Sequence, residues 1–118
     1  MPTNLATKFL SRDDSVVNAY ENDPLVHVIL SVAAAMSLLE GAGWLDRFSG
    51  PVALPVLLMH GGGDMITSPA ATKAFSDRIA GNTMHREWPG LYHEIHNEPE
   101  REEVFEFTVQ WMKNVKLL

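Results

Sequence analysis

The chain has 118 residues, 46% of them hydrophobic and 20% charged, with a formal net charge of −6. That length accommodates one domain around one core, and nine scattered Lys and Arg argue against the basic face that a nucleic-acid backbone requires. Cysteine is absent, which excludes a disulfide framework and any thiolate metal site.

The first residues, Met-Pro-Thr-Asn-Leu-Ala-Thr-Lys-Phe-Leu10, lack the apolar stretch of a signal peptide. The most apolar window, Leu25 to Leu39, is shorter than a bilayer span and is interrupted by His27, Ser31 and Ser37. A soluble, cytoplasmic protein is the expectation. Asp13-Asp14-Ser15 reads as a helix start, with carboxylates at the positive end of the helix dipole. Pro24 ends that helix, because the residue before a proline is pushed out of the α region. A second helix is expected from about Val26 to Glu40, apolar on nearly every side, with Gly41 and Gly43 as its stop. Trp44 to Phe48 reads as a separate short piece, closed by Ser49-Gly50-Pro51.

Val56-Leu-Leu-Met59 is a continuous apolar run, the pattern of a strand buried on both faces of a parallel sheet. Ser68-Pro69 reads as an N-cap with proline at the first helical position, opening a helix to Ala80 that ends at Gly81-Asn82. Thr83 to Trp88 alternates as a second strand, closed by Pro89-Gly90. A last helix is expected from near Glu98-Pro99 to about Lys113, with Val104, Phe105, Phe107, Thr108, Trp111 and Met112 as its apolar face. Its glutamates read as a solvated, dipole-favoured start. From Val56 the order is strand, helix, strand, helix, an α/β unit with parallel strands and a right-handed crossover.

Chemistry concentrates where the first strand ends. Pro55-Val-Leu-Leu-Met-His-Gly-Gly-Gly-Asp64 places a carboxylate after a glycine turn, and Gly90-Leu-Tyr-His93-Glu places a histidine after the next strand. An acid and a base at the carboxyl ends of neighbouring strands can form an Asp–His pair. Taken alone, Asp64 could equally serve a turn or a helix cap. Among the other histidines, His85 lies inside a strand and reads as structural, and His60 is expected to bond the glycine loop. His93-Glu-Ile-His96 is not a His-Glu-x-x-His zinc motif. No Gly-Lys-Ser/Thr follows Gly61-Gly62-Gly63, so those glycines read as a sharp turn instead of a phosphate loop. Neither a cofactor nor a metal is assigned. No Gly-x-Ser-x-Gly occurs. Ser68 is the candidate nucleophile nearest to Asp64, although its place before Pro69 favours capping.

Leu10-Ser-Arg-Asp13, Tyr20-Glu-Asn-Asp-Pro-Leu-Val-His27, Val56 to His60 with Asp64, Thr67-Ser-Pro69, Gly90-Leu-Tyr-His-Glu94 and Asn97-Glu98 stand together in this order. They resemble the C-terminal part of the monoacylglycerol lipase and lysophospholipase family of the α/β-hydrolase superfamily. The resemblance implies that residues 1–50 are a helical segment derived from the cap, or lid. Residues 51–118 would be the C-terminal portion of an α/β-hydrolase fold. It further implies Asp64 as the acid and His93 as the base of a Ser-His-Asp triad. The implied substrate is a monoacylglycerol, a lysophospholipid or a simple carboxylic ester. The family's early strands, nucleophile elbow and oxyanion-hole loops have no counterpart here. After His27 the family usually continues with glycine and basic residues, whereas Val28 to Met36 is apolar and suggests a surface that meets lipid or another chain.

Two functions follow. One is carboxylic ester hydrolysis by Asp64 and His93 with a serine from this chain or a partner chain. The other is a non-catalytic hydrolase remnant that acts as an oligomeric assembly module. Two parallel strands cannot bury both faces and both edges of a sheet, so a homo-oligomer is expected under either.

Overall fold

The computed structural model describes residues 2–115. Asp13 caps the first helix, α1 (Asp14–Asn22), by accepting from the Ser15 N–H at 2.9 Å. The second helix, α2, spans Val32–Arg47, so it starts later and ends later than its composition suggests. Ser31 sets the start: its hydroxyl accepts from the Ala34 N–H at 3.1 Å. The residues before it are not helical: Ile29 makes an isolated bridge with Pro2, and Thr3 N–H bonds to Val28 O at 2.9 Å.

Gly41 and Gly43 do not stop α2, and Trp44 to Arg47 belongs to it. Each helical glycine costs roughly 1 kcal/mol relative to alanine, but the last turn has an outside partner. The Arg78 guanidinium donates to Leu45 O at 2.9 Å, which also accepts the Phe48 N–H, and to the C-cap carbonyl Phe48 O at 3.2 Å. Trp44 and Phe48 also stack with ring centroids 5.0 Å apart.

Strand β1 (Pro51–Gly61) pairs in parallel with β2 (Ala80–Trp88), both longer than the apolar runs that announce them. The register runs from Val56 opposite Thr83 to Gly61 opposite Trp88, with an irregularity between Val52 and Val56. Pro55, which has no N–H to give the ladder, falls in that irregular stretch. Helix α3 (Pro69–Arg78) makes the crossover, with Ser68 as its N-cap and proline in its first turn. The last helix, α4, is Arg101–Asn114, a turn shorter at its start than expected. Val104 is its buried anchor and Phe107 packs beside it, while Phe105 is exposed.

The core lies beneath the carboxyl ends of the strands: Trp88, Leu91, Ile95 and Val104, with Met59 and Phe107 packed against it. Elsewhere the chain is open. Its accessible surface is 8070 Å², against roughly 6,400 Å² for a compact monomer of this mass. Its radius of gyration is 16.0 Å, against about 13.5 Å for a compact domain of this length. Leu39 and Val32 on α2 and Leu54 on β1 are among the exposed apolar side chains. No helix among the described residues is long and apolar enough to cross a membrane.

Candidate active site

Where β1 ends, the chain turns through Gly61-Gly62-Gly63 directly against the loop that follows β2. Gly62 N–H bonds to Trp88 O and Gly63 N–H to Leu91 O, both at 2.8 Å. A side chain at Gly61 would put its Cβ 2.1 Å from Tyr92 O, and one at Gly63 would put it 2.9 Å from Gly90 O. Glycine is required here because two backbones touch. Gly90 turns the second loop with φ +78°. This contact brings Asp64 and His93 together.

Asp64 is almost fully enclosed, its side chain 1% exposed. One oxygen, Oδ1, accepts the Ile66 N–H at 2.7 Å and the Thr67 N–H at 3.0 Å. The other, Oδ2, accepts the Thr67 hydroxyl at 2.7 Å, His93 Nδ1 at 2.9 Å and His60 Nε2 at 2.9 Å. Burial alone would raise the carboxyl pKa, but the His93 bond, the Thr67 hydroxyl and the two backbone N–H groups together hold it well below the usual carboxylate range. An ionised carboxylate only accepts, so each imidazole donates an N–H to it and keeps the proton. His93 therefore carries hydrogen on Nδ1 and, when neutral, leaves the lone pair of Nε2 free. Its side chain is 34% exposed, so that lone pair can be reached. This is the arrangement a general base needs.

His60 plays a different part from the one expected. Instead of bonding the glycine loop, it bridges Asp64 and the Thr72 hydroxyl of α3, the latter at 2.7 Å from Nδ1. Thr67, not singled out by the sequence reading, lies between Asp64, His60 and His93. Its hydroxyl oxygen is 3.2 Å from His60 Nε2 and 3.4 Å from His93 Nδ1. The three-residue step from Asp64 to Thr67, typical of a side-chain-capped turn, was the available signal. Ser68 accepts the Ala71 N–H at 3.2 Å as the cap of α3, and no hydrogen bond joins it to either histidine among the described residues. His85 has its Nε2 buried without a hydrogen-bond partner among the described residues.

Glu98 is a second correction. It is fully buried at 0% exposure, not part of a solvated helix start. Its carboxylate accepts the Tyr92 N–H at 2.8 Å, the Arg12 N–H at 3.2 Å and Arg12 Nε at 2.8 Å. Two hollows meet at the site. A small one of about 190 Å³ is lined by Met59, His60, Asp64, Thr67, His93 and Ile95. A larger one of about 480 Å³ shares His60 and Thr67 with it and continues between α2 and α3 past Leu45, Leu58 and Phe75.

Residues 1–100 match the family described as serine aminopeptidase, S33. The chain is 35% identical to a monoacylglycerol lipase of Mycolicibacterium smegmatis over 92% of its own length and 40% of that protein's. It is 34% identical to the phospholipase YtpA of Bacillus subtilis, covering 93% of this chain and 45% of that one. The crystal structure of Paleococcus ferrophilus monoacylglycerol lipase superposes with a TM-score of 0.84 at 30% identity, over 98% of this chain and 46% of that one. The chain thus spans less than half the length of these relatives. Its two parallel strands and flanking helices are a partial α/β-hydrolase fold, and the chain belongs to the serine aminopeptidase S33 family of α/β-hydrolases, among lipase- and esterase-type members.

Proposed function

We propose that the chain serves carboxylic ester hydrolysis, with Asp64 orienting His93 and His93 as general base toward a serine. The observation that carries this reading is the 2.9 Å contact of Asp64 Oδ2 with His93 Nδ1, which leaves Nε2 open at the hollow. Monoacylglycerols, lysophospholipids or simple carboxylic esters are the proposed substrates. The names of the relatives and the apolar hollow beside the pair support that class. In the proposed division of labour, residues 1–50 derive from a cap and residues 51–118 form the catalytic half. Proton transfer from the serine hydroxyl to Nε2 accompanies attack on the acyl carbon. Asp64 then stabilises the resulting imidazolium without itself taking the proton. The imidazolium protonates the alcohol that departs, and a water deprotonated by His93 releases the acid and restores the serine. Ser68, the candidate nucleophile of the sequence, has its oxygen engaged as the cap of α3. A serine offered to the open edge of His93 by another segment or a partner chain fits the geometry better.

Homo-oligomerisation is part of the same proposal. The excess of exposed surface, on the order of 1,700 Å², is what one partner covers in an obligate interface. β1 pairs only with β2, leaving its other edge open among the described residues, and α2 has no buried residue. The catalytic reading is tested by treating the purified chain with a fluorophosphonate probe and mapping labelled residues by mass spectrometry, with His93→Ala in parallel. A single labelled serine, lost in His93→Ala, is expected. No labelling of the folded chain would overturn serine catalysis.

A further inference from the structure

The loop carrying His93 is gripped from two sides. On one side is the glycine turn; on the other is the segment 9–12, far away in sequence. His93 N–H bonds to Phe9 O at 3.4 Å and Glu94 N–H to Leu10 O at 2.8 Å. Ser11 Oγ donates to Asn97 O at 3.0 Å. Glu98 closes this grip. Its Oε1 takes the Tyr92 N–H, one residue before His93, while Arg12 approaches the same carboxylate through its backbone N–H and its Nε. The Arg12 guanidinium also pairs with Glu100. Three consecutive amides, Tyr92, His93 and Glu94, are therefore held by Glu98 and the 9–12 segment.

We infer that Glu98, with Arg12 as its counter-cation, is a positioning residue that fixes the His93 imidazole on Asp64. This rests on the reading of His93 as the base, but the inference concerns only where the ring is held. A buried carboxylate is costly unless paired and fully hydrogen-bonded. Glu98 meets that condition with two backbone N–H groups and one guanidinium. Simple helix capping does not account for it, because α4 starts at Arg101 with Glu100 as its N-cap residue. His60 supplies an internal control. It bonds the same Asp64 oxygen but is tied to Thr72, so loss of the Glu98 grip should release His93 and leave His60 in place.

The test is ¹⁵N NMR of the imidazoles in the full chain without substrate, comparing wild type, Glu98→Ala, Glu98→Gln and Arg12→Ala. Wild type should show His93 as the Nδ1–H tautomer with slow proton exchange. Glu98→Ala should speed that exchange about tenfold or more as the loop opens locally, with the His60 signal unchanged. Glu98→Gln should lie between the two, because its amide oxygen can still accept the Tyr92 N–H. A folded Glu98→Ala with wild-type exchange at His93 would overturn the inference. If Glu98→Ala does not fold, Arg12→Ala decides: faster exchange at His93 alone supports positioning, and unchanged exchange sinks it. A chain that fails to react with fluorophosphonate yet shows this pattern would refute the hydrolase proposal and leave the positioning role standing.

Discussion

Asp64 keeps 1% of its side chain in contact with water and takes every described hydrogen bond from within the chain, whereas Leu39 on α2 keeps 75% of its surface exposed. The glycine turn and its facing loop are satisfied by each other, by Glu98 and by the 9–12 segment. They have touching backbones, a buried acid with its donors, and a small core beneath. Helix α2 is complete only at its ends, through Ser31 and Arg78, and buries no residue along its length. Local geometry can thus be satisfied in a chain whose apolar surface is not. The acid–base pair finds all its supports within the chain, in its two loops, Glu98 and the 9–12 segment, while the helix needs a neighbour.

That contrast can be broken at the site or on the helix. The largest effect is expected from Asp64→Asn in any assembly that turns over ester. Turnover should fall on the order of 10⁴-fold, because an amide no longer selects the productive His93 tautomer. A fall below tenfold in a spectrophotometric ester assay would show that the pair is not the catalytic one. The same variant tests the electrostatics. The Asp64 carboxyl is held below its ordinary value of 3.8, so its ionised form stabilises the fold above that pH. This stabilisation is lost as pH falls through the lowered folded value. Wild-type melting temperature should therefore drop with acid below that ordinary value by more than that of Asp64→Asn.

Gly61→Ala comes next, since its Cβ would sit 2.1 Å from Tyr92 O and 2.4 Å from Leu91 O. The loops must part, at a cost of about 3 kcal/mol, read as a lower urea midpoint and a lost His93–Asp64 hydrogen bond by NMR. Ser68→Ala should cost only about 1 kcal/mol as a lost cap. Fluorophosphonate labelling in that variant equal to wild type would exclude Ser68 as nucleophile, and abolished labelling would restore it. The smallest effect on folding is expected from Leu38→Glu on the exposed face of α2, within about 0.5 kcal/mol. Its consequence should appear instead in sedimentation, as smaller species. A wild-type chain that sediments as a well-folded monomer at micromolar concentration would remove the assembly proposal.

Much of the site could be read from sequence because local chemistry dictates it. An apolar run ending in glycines, and Ser68-Pro69 opening a helix, each have a strong local solution, whereas the part played by Asp64 stays open without the family resemblance. Asp13 and its helix follow the same logic. The bounds of α2 were not readable in this way. Its Val-, Ala- and Leu-rich start offers no phase to mark where the helix begins, and Gly41 lies in open space while Gly43 faces only the Arg47 side chain, so neither forces a stop. What carries the helix past them is Arg78, a contact made only in three dimensions. Glu98 was misread for a similar reason. Nothing in Asn97-Glu98-Pro99 distinguishes a buried acid from a solvated one, since the difference is made by Arg12, 86 residues earlier.

That separation also bears on the order of events as the chain is made. Arg12 is synthesised 86 residues before Glu98, so the 9–12 segment waits without this partner while the intervening residues are made. Contacts of such long sequence separation form late, because the entropy of closing the intervening loop has to be met first. Strand pairing and the crossover helix can form before that closure. The histidine loop would then settle onto the acid only when the 9–12 segment returns to meet it, so the pairing of His93 with Asp64 is among the later contacts to form.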